Sequence, residues 1–228
     1  IYTGVGAAVM EPANAPFVAQ RLGLSQIRNY DVIEACMGWV SALEIINGLM
    51  QSGRIQAAAI VNLEFNLIEK GPILPKNFQL QSKNELEYKF PSYTVGETAA
   101  ATIVTAEAAD NFSFSVVSRP DLADLCSVSL PGYRRYFHSD KLDIFGGQYQ
   151  FCSFGRALHD QAKIELPKAL AGLQMDQAQF KRVFVHASSK TDWTNYGQAA
   201  GIADKIHHIS HRTGNLVSAS IPAAIHHA

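Results

Sequence analysis

Tyr30-Asp31-Val32-Ile33-Glu34-Ala35-Cys36-Met37-Gly38-Trp39 decides how this chain is read. A short apolar strand is expected to run into Cys36, and a helix to run from Cys36 to about Ser52. Val40, Leu43, Ile45, Ile46, Leu49 and Met50 place apolar groups on nearly every face of that helix, and Glu44 is its only charge. A helix of this kind reads as buried rather than amphipathic. Cys36 then lies at the carboxyl end of a strand and the N-terminus of a central helix, where open α/β sheets carry their chemistry. Unpaired N–H groups and the positive end of the helix dipole face the sulfur. A free thiol titrates near ~8.5. A helix end supplies roughly 0.3–1 kcal/mol, and ~2 when partly buried, and one pKa unit is about 1.4 kcal/mol. The dipole alone therefore lowers the thiol by about one unit. A nucleophilic cysteine also needs a base nearby; a buried structural cysteine is the alternative.

Outward from this stretch, the 228 residues carry 17% charged side chains and a net charge of −1, a globular composition with no basic surplus for nucleic acid or an anionic membrane. No apolar run is long enough to span a bilayer, and no signal peptide is visible. Three widely spaced cysteines make neither a disulfide framework nor a zinc site, so a reducing, cytoplasmic setting is expected. The chain opens at Ile1 in what reads as mid-strand and stops at Ala228 in mid-helix, which suggests a fragment or missing ends.

In order, Ile1 to Val9 reads as a strand leaving into a loop, and Pro16 to Leu22 as a helix ended by Gly23. Gln56 to Leu63 is a buried strand. Leu67 to Tyr93, with Gly71-Pro72 and Pro75, is a long connection. Gly96 to Val104 is a tight turn into a strand. Phe112 to Val117 alternates as a strand does. Leu122 to Gln150 is irregular. Phe154 to Leu173 is a helix that Pro167 should kink or break. Phe180 to Val185 is a strand ending at His186, Gln198 to Ala203 a short helix, and Ile206 to Ser210 a strand. After the turn Gly214-Asn215, a helix runs from Ser218 to His227. Alternating strands and helices predict an α/β fold with a largely parallel sheet.

Three strand ends thus carry candidate chemistry: Cys36, His186 and Asn215. A thiolate can attack an acyl thioester, while an imidazole and an amide stabilise an enolate or accept its proton. Histidine titrates near neutrality, which suits the second role. A satisfied core histidine and a turn asparagine are the alternatives.

With these residues in place, the sequence resembles the ketoacyl-ACP synthase III family. Glu34-Ala35-Cys36-Met37-Gly38-Trp39 looks like its nucleophile motif, and Gly96-Glu97-Thr98-Ala99-Ala100-Ala101 resembles its G-D-G-A-G-A turn. Val185-His186-Ala187-Ser188-Ser189 sits where the family has H-Q-A-N. Gly214-Asn215-Leu216-Val217-Ser218-Ala219-Ser220-Ile221-Pro222 is similar to G-N-T-S-A-A-S-I-P, and Asn215 follows His186 by 29 residues, as in the family. Glu11 to Leu24 resembles the approach to the nucleophile strand. The resemblance implies a thiolase-like five-layer αβαβα fold of two similar halves, here truncated at both ends, with residues 1–109 carrying the cysteine and 110–228 the histidine and asparagine. It implies a homodimer and a pantetheine tunnel to Cys36, touched by Ser189 and Gly214. It implies acyl transfer to Cys36 from acyl-CoA or an acyl-carrier protein, with no permanently bound cofactor, then decarboxylative Claisen condensation with a malonyl-type thioester aided by His186 and Asn215. Fatty acid, polyketide or other secondary metabolite biosynthesis is the implied setting. A same-fold acyltransferase that passes the acyl group to an alcohol or amine without decarboxylation is the second reading.

The sequence departs from the family at Ala187 and Ser188-Ser189, at Thr191 where an arginine stands, and at Leu216-Val217 after the asparagine. Part of the aromatic-rich segment from Tyr133 to Phe154 is expected over the acyl pocket. Cys126 and Cys152 read as packing residues, Glu64 as buried at a dimer interface. His207, His208, His211, His226 and His227 lack the carboxylate or cysteine partners of a metal site.

Overall fold

The structure, a computed structural model, describes residues 1–9, 11–67, 79–107 and 112–228. It begins with β1 (Tyr2–Thr3) and α1 (Ala15–Arg21). The Asp31 carboxylate accepts the N–H groups of Asn14 and Ala15, each at 2.8 Å, and so anchors the N-terminus of α1 to the segment that approaches Cys36. That segment is not the strand expected of it. Only Asp31 bridges to Tyr2, flanked by hydrogen bonds from Tyr2 to Tyr30 and from Val32 to Tyr2. The strand expected to open Ile1 to Val9 is the two residues of β1, and the rest of that span is loop.

α2 (Gly38–Gln51) buries Gly38, Trp39, Ala42, Leu43 and Ile46, the helical spacing of a single face. Glu44 and Ile45 are exposed, so the helix is not buried all round as its composition suggests. Its buried face packs on β2 (Ala57–Glu64) and reaches Val104 of β3 (Thr98–Thr105). The Trp39 indole N–H donates to Thr102 Oγ1 at 2.9 Å. β3 follows the 3-10 turn Phe90–Thr94 and α3 (Leu86–Lys89). The sheet order is β1-β2-β3. β1 is parallel to β2, but β2 and β3 run antiparallel in unbroken register from Ala57 opposite Thr105 to Glu64 opposite Thr98. The sheet is therefore mixed, not largely parallel. The connection expected over Leu67 to Tyr93 is described only in part; Gly71, Pro72 and Pro75 lie outside the described residues.

Phe112 to Val117 forms no strand despite its alternation, because no neighbouring strand among the described residues pairs with it. β4 (Cys126–Val128) pairs antiparallel with β5 (Phe151–Ser153), with α4 (Asp140–Phe145) between them. Leu125, Cys152 and Phe154 make a small core that Tyr88 and Phe145 extend. α5 (Gly155–Gly172) passes through Pro167 as one helix, without the expected break. No residue of α5 is fully buried, so water can satisfy the Lys163 carbonyl that the proline deprives of its donor. β6 (Val183–Phe184) is parallel to β7 (Ile206–His207), and α6 (Lys190–Ala199) lies between them in sequence, longer and earlier than the helix expected there. α7 (Ser210–Thr213) leads to Gly214, and α8 (Ser220–His226) follows the 3-10 turn Val217–Ala219.

Two cores interlock across the chain. Ile221 of α8 packs into the core of α2, β2 and β3. Ala100 of β3 packs against the core of Ala187, Ile209, Leu216, Ala219 and Ala224. The boundary expected at residue 109 lies outside the described residues.

Candidate active site around Cys36

Ala35–Met37 forms a single 3-10 turn before α2, with Ala35 at φ +42°. The turn is pressed against β1: a Cβ at Gly38 would stand 1.9 Å from Thr3 Oγ1, so the first residue of α2 has no room for a side chain. On its other side the turn packs against Val217–Ala219.

The second turn is built by a crossing of two loops. The Asn215 N–H donates to Thr94 O at 2.7 Å, and the Gly96 N–H donates to Asn215 O at 2.8 Å. Gly214 has φ +69°, and a Cβ there would lie 2.6 Å from Thr94 O. A Cβ at Gly96 would lie 2.0 Å from Thr213 O. The two glycine-led motifs thus form opposite sides of one close approach. The Asn215 side chain is oriented by its own turn, since the Val217 N–H donates to Asn215 Oδ1 at 2.8 Å. A backbone donor can only meet the oxygen, which fixes the amide's sense. Its Nδ2 has no hydrogen-bond partner among the described residues and presents two donors.

His186 follows β6 and is half-buried. Its Nε2 is buried with no hydrogen-bond partner among the described residues. Burial, reinforced by the nearby His159, pulls the imidazole down to about 4, so it is neutral at pH 7. The next residue, Ala187, packs with Leu216 and Ala219. The Cys36 turn packs on Val217–Ala219, Asn215 is oriented by the Val217 N–H, and Ala187, next to His186, shares a core with Ala219.

Burial pushes the Cys36 thiol up to about 12, with smaller contributions from Cys126 and Glu64 and a small opposing one from a backbone hydrogen bond. This reverses the expectation that the helix terminus would lower it. Desolvation of the anion outweighs a dipole contribution of about one unit. The residue as a whole remains partly exposed. The resting group is a neutral thiol at pH 7. Any attack by this sulfur would need its proton removed at the same time.

Other expectations meet plainer outcomes. Ser189 caps α6, accepting the Asp192 N–H at 3.2 Å, and Gly214 serves the loop crossing. A cavity of about 530 Å³, lined by residues such as Val18, Leu22, Ile46, Leu49 and Ala59, does not reach Cys36, His186 or Asn215. Among the described residues no cluster of three or more His, Cys, Asp or Glu could hold a metal ion, and no helix is long and apolar enough to cross a membrane. Cys152 is fully buried in the aromatic core, whereas Cys126 acts electrostatically on Cys36, a proximity that sequence spacing does not signal. Glu64 is fully buried inside this chain, on Ser218, rather than waiting for a second subunit.

No protein-family model matches the sequence, and no curated protein matches it. Solved structures do. A variant of Xanthomonas campestris OleA crystallised with lauric acid and lauroyl-CoA is 20% identical, with TM-score 0.80 over 98% of this chain and 65% of its own. OleA bound to cerulenin is 19% identical, with TM-score 0.79 over 98% of this chain and 63% of its own. The 3-oxoacyl-(acyl carrier protein) synthase III of Pseudomonas aeruginosa is 20% identical, with TM-score 0.75 over 99% of this chain and 65% of its own. The chain has the thiolase fold. It spans about two thirds of the length of these thiolase-fold structures, somewhat less for each.

Proposed function

We propose that this thiolase-fold chain belongs to a condensing enzyme in which Cys36 takes an acyl group from an acyl thioester. Two observations support the reading: the cysteine turn packs on Val217–Ala219, whose Val217 N–H orients Asn215, and the unpartnered His186 precedes Ala187, which shares a core with Ala219. In the first step the Cys36 sulfur attacks the thioester carbonyl and expels the donor thiolate, which takes up the proton lost by Cys36. In the second, a malonyl-type thioester loses CO₂, and the two Asn215 donors and the His186 Nε2 stabilise the enolate oxygen. The enolate carbon attacks the acyl group, and the Cys36 thiolate leaves and is reprotonated. A neutral His186 suits this role, because it can donate a hydrogen bond from one nitrogen without carrying charge. Donor thioesters are carried by CoA or an acyl-carrier protein.

The working unit is a homodimer. The outer edge of β3 has no strand partner among the described residues, and Ile103 on that strand is 70% exposed.

Incubation with lauroyl-CoA followed by intact-protein mass spectrometry tests the first step. One lauroyl group should be gained by the native chain and none by Cys36→Ala; acylation of that variant would remove Cys36 from its role. CO₂ release from labelled malonyl-CoA by the acylated protein tests the second step, and its absence would sink the decarboxylative assignment.

A further inference from the structure

β2 is an apolar strand with two fully buried polar side chains, Asn62 and Glu64. They are two residues apart and share a face of the sheet. Both reach the same residue, 154 or more positions away. The Ser218 N–H donates to Glu64 Oε1 at 3.1 Å, and the Ser218 hydroxyl donates to the same oxygen at 2.5 Å. The Ser218 hydroxyl in turn accepts from Asn62 Nδ2 at 3.0 Å. The other oxygen, Oε2, accepts from Asn66 Nδ2 at 2.9 Å and from the Val5 N–H at 3.3 Å. Four donors point at the two oxygens, the pattern of an acceptor-only carboxylate.

Ser218 is the middle residue of the Val217–Ala219 turn. The residue before it, Val217, stands at φ +49°, a conformation that a β-branched side chain adopts only under constraint. Its N–H is the donor that holds Asn215 Oδ1. The turn also seats the Ala35–Met37 turn. A strained residue thus links the Asn215 amide to a buried carboxylate.

We propose that Glu64 is a positioning residue for the Cys36–Asn215 site: its carboxylate clamps Ser218, holds Val217 in its strained conformation, and so aims the Asn215 donors and seats the cysteine turn. This rests on reading Cys36 and Asn215 as the reacting pair. Glu64 touches neither substrate nor the reacting sulfur in this scheme; it acts through Ser218. Its negative charge also opposes ionisation of Cys36.

The test compares Glu64→Gln and Ser218→Ala with the native chain by amide hydrogen exchange and by lauroyl-CoA acylation followed by intact mass. A glutamine cannot accept all four donors, and a neutral oxygen replaces a charged one. Exchange at the Val217 and Ser218 amides should accelerate by about tenfold in Glu64→Gln and by less in Ser218→Ala, with Ala59 and Ile60 in the same strand unchanged. The maximal acylation rate of Glu64→Gln should fall by about tenfold, with the half-saturating lauroyl-CoA concentration unchanged. Unchanged exchange at Val217 and Ser218 in both variants overturns the proposal. So does equal acceleration at Ala59 and Ile60, which would mean a role in strand stability alone. If Glu64→Gln does not fold, Ser218→Ala decides by the same exchange criterion. If the native chain is not acylated at all, the acyl-transfer reading fails, while the exchange result still decides whether the clamp exists.

Discussion

The asparagine and histidine arms of the proposed site are held in opposite ways. Asn215 is fixed at its backbone N–H, its backbone carbonyl and its side-chain oxygen. Among the described residues, only the amide nitrogen is left over. His186 has its backbone carbonyl bound by the Ser188 N–H at 2.7 Å, but its buried ring nitrogen meets no partner among the described residues. One arm is a preset donor whose direction the fold dictates. The other is a polar group kept dry and unsatisfied, at a cost to stability of about 1–3 kcal/mol. Such an arrangement persists where a site needs a group free to meet substrate.

The largest test of that contrast strikes the loop crossing that builds the asparagine arm. Gly214→Ala puts a Cβ at a positive φ and 2.6 Å from Thr94 O, and should destabilise by about 2 kcal/mol or more in denaturant unfolding. A stability loss within a few tenths of a kcal/mol would mean that the crossing is slack. Next, Asn215→Ala should lose stability by about 1 kcal/mol, because the Val217 N–H loses its acceptor, whereas His186→Leu should be neutral or stabilising by about 1 kcal/mol. Both should slow condensation by about 10²-fold or more. Equal stability changes would erase the distinction between the arms.

Acidity sharpens it further. Because burial holds His186 near 4 in the folded chain, against an ordinary value of about 6.5, the unfolded chain binds its proton first. The stability linked to this ring is complete above pH ~6.5 and is lost as pH falls toward 4. NMR titration should show His186 neutral at pH 5; a midpoint near 6.5 would mean that the ring is wet. The smallest effect is expected at the thiol. Alkylation of Cys36 by iodoacetamide should still be climbing with pH at pH 10, without the plateau of an ordinary thiol, since burial raises it to about 12.

The two arms were also unequally legible in the sequence. Gly214-Asn215 and Gly38 announce themselves because glycine at a crowded backbone is a local requirement. The helix after Cys36 was legible from its apolar spacing, although composition overstated its burial. α6 was missed over most of its length because Lys190, Thr191, Asp192 and Asn195 carry no apolar stripe; Ser189 three residues before Asp192 was the available signal, a capping serine. Phe112 to Val117 shows the reverse error, since alternation marks a strand only where a neighbouring strand pairs with it. The Cys36 thiol was misjudged for a related reason. A helix end is visible in sequence, while the amount of chain packed over a sulfur is not. The Glu64–Ser218 contact spans 154 residues and left one trace, two polar residues at period two inside an apolar strand.

That span has a consequence for how the chain is made. Ribosomes add roughly 5–20 residues per second, so Ser218 leaves the ribosome on the order of 10–30 seconds after Glu64. During that interval the carboxylate has none of its later serine contacts, and the cysteine turn has no floor. The buried carboxylate and the cysteine turn thus wait for a segment synthesised long after them.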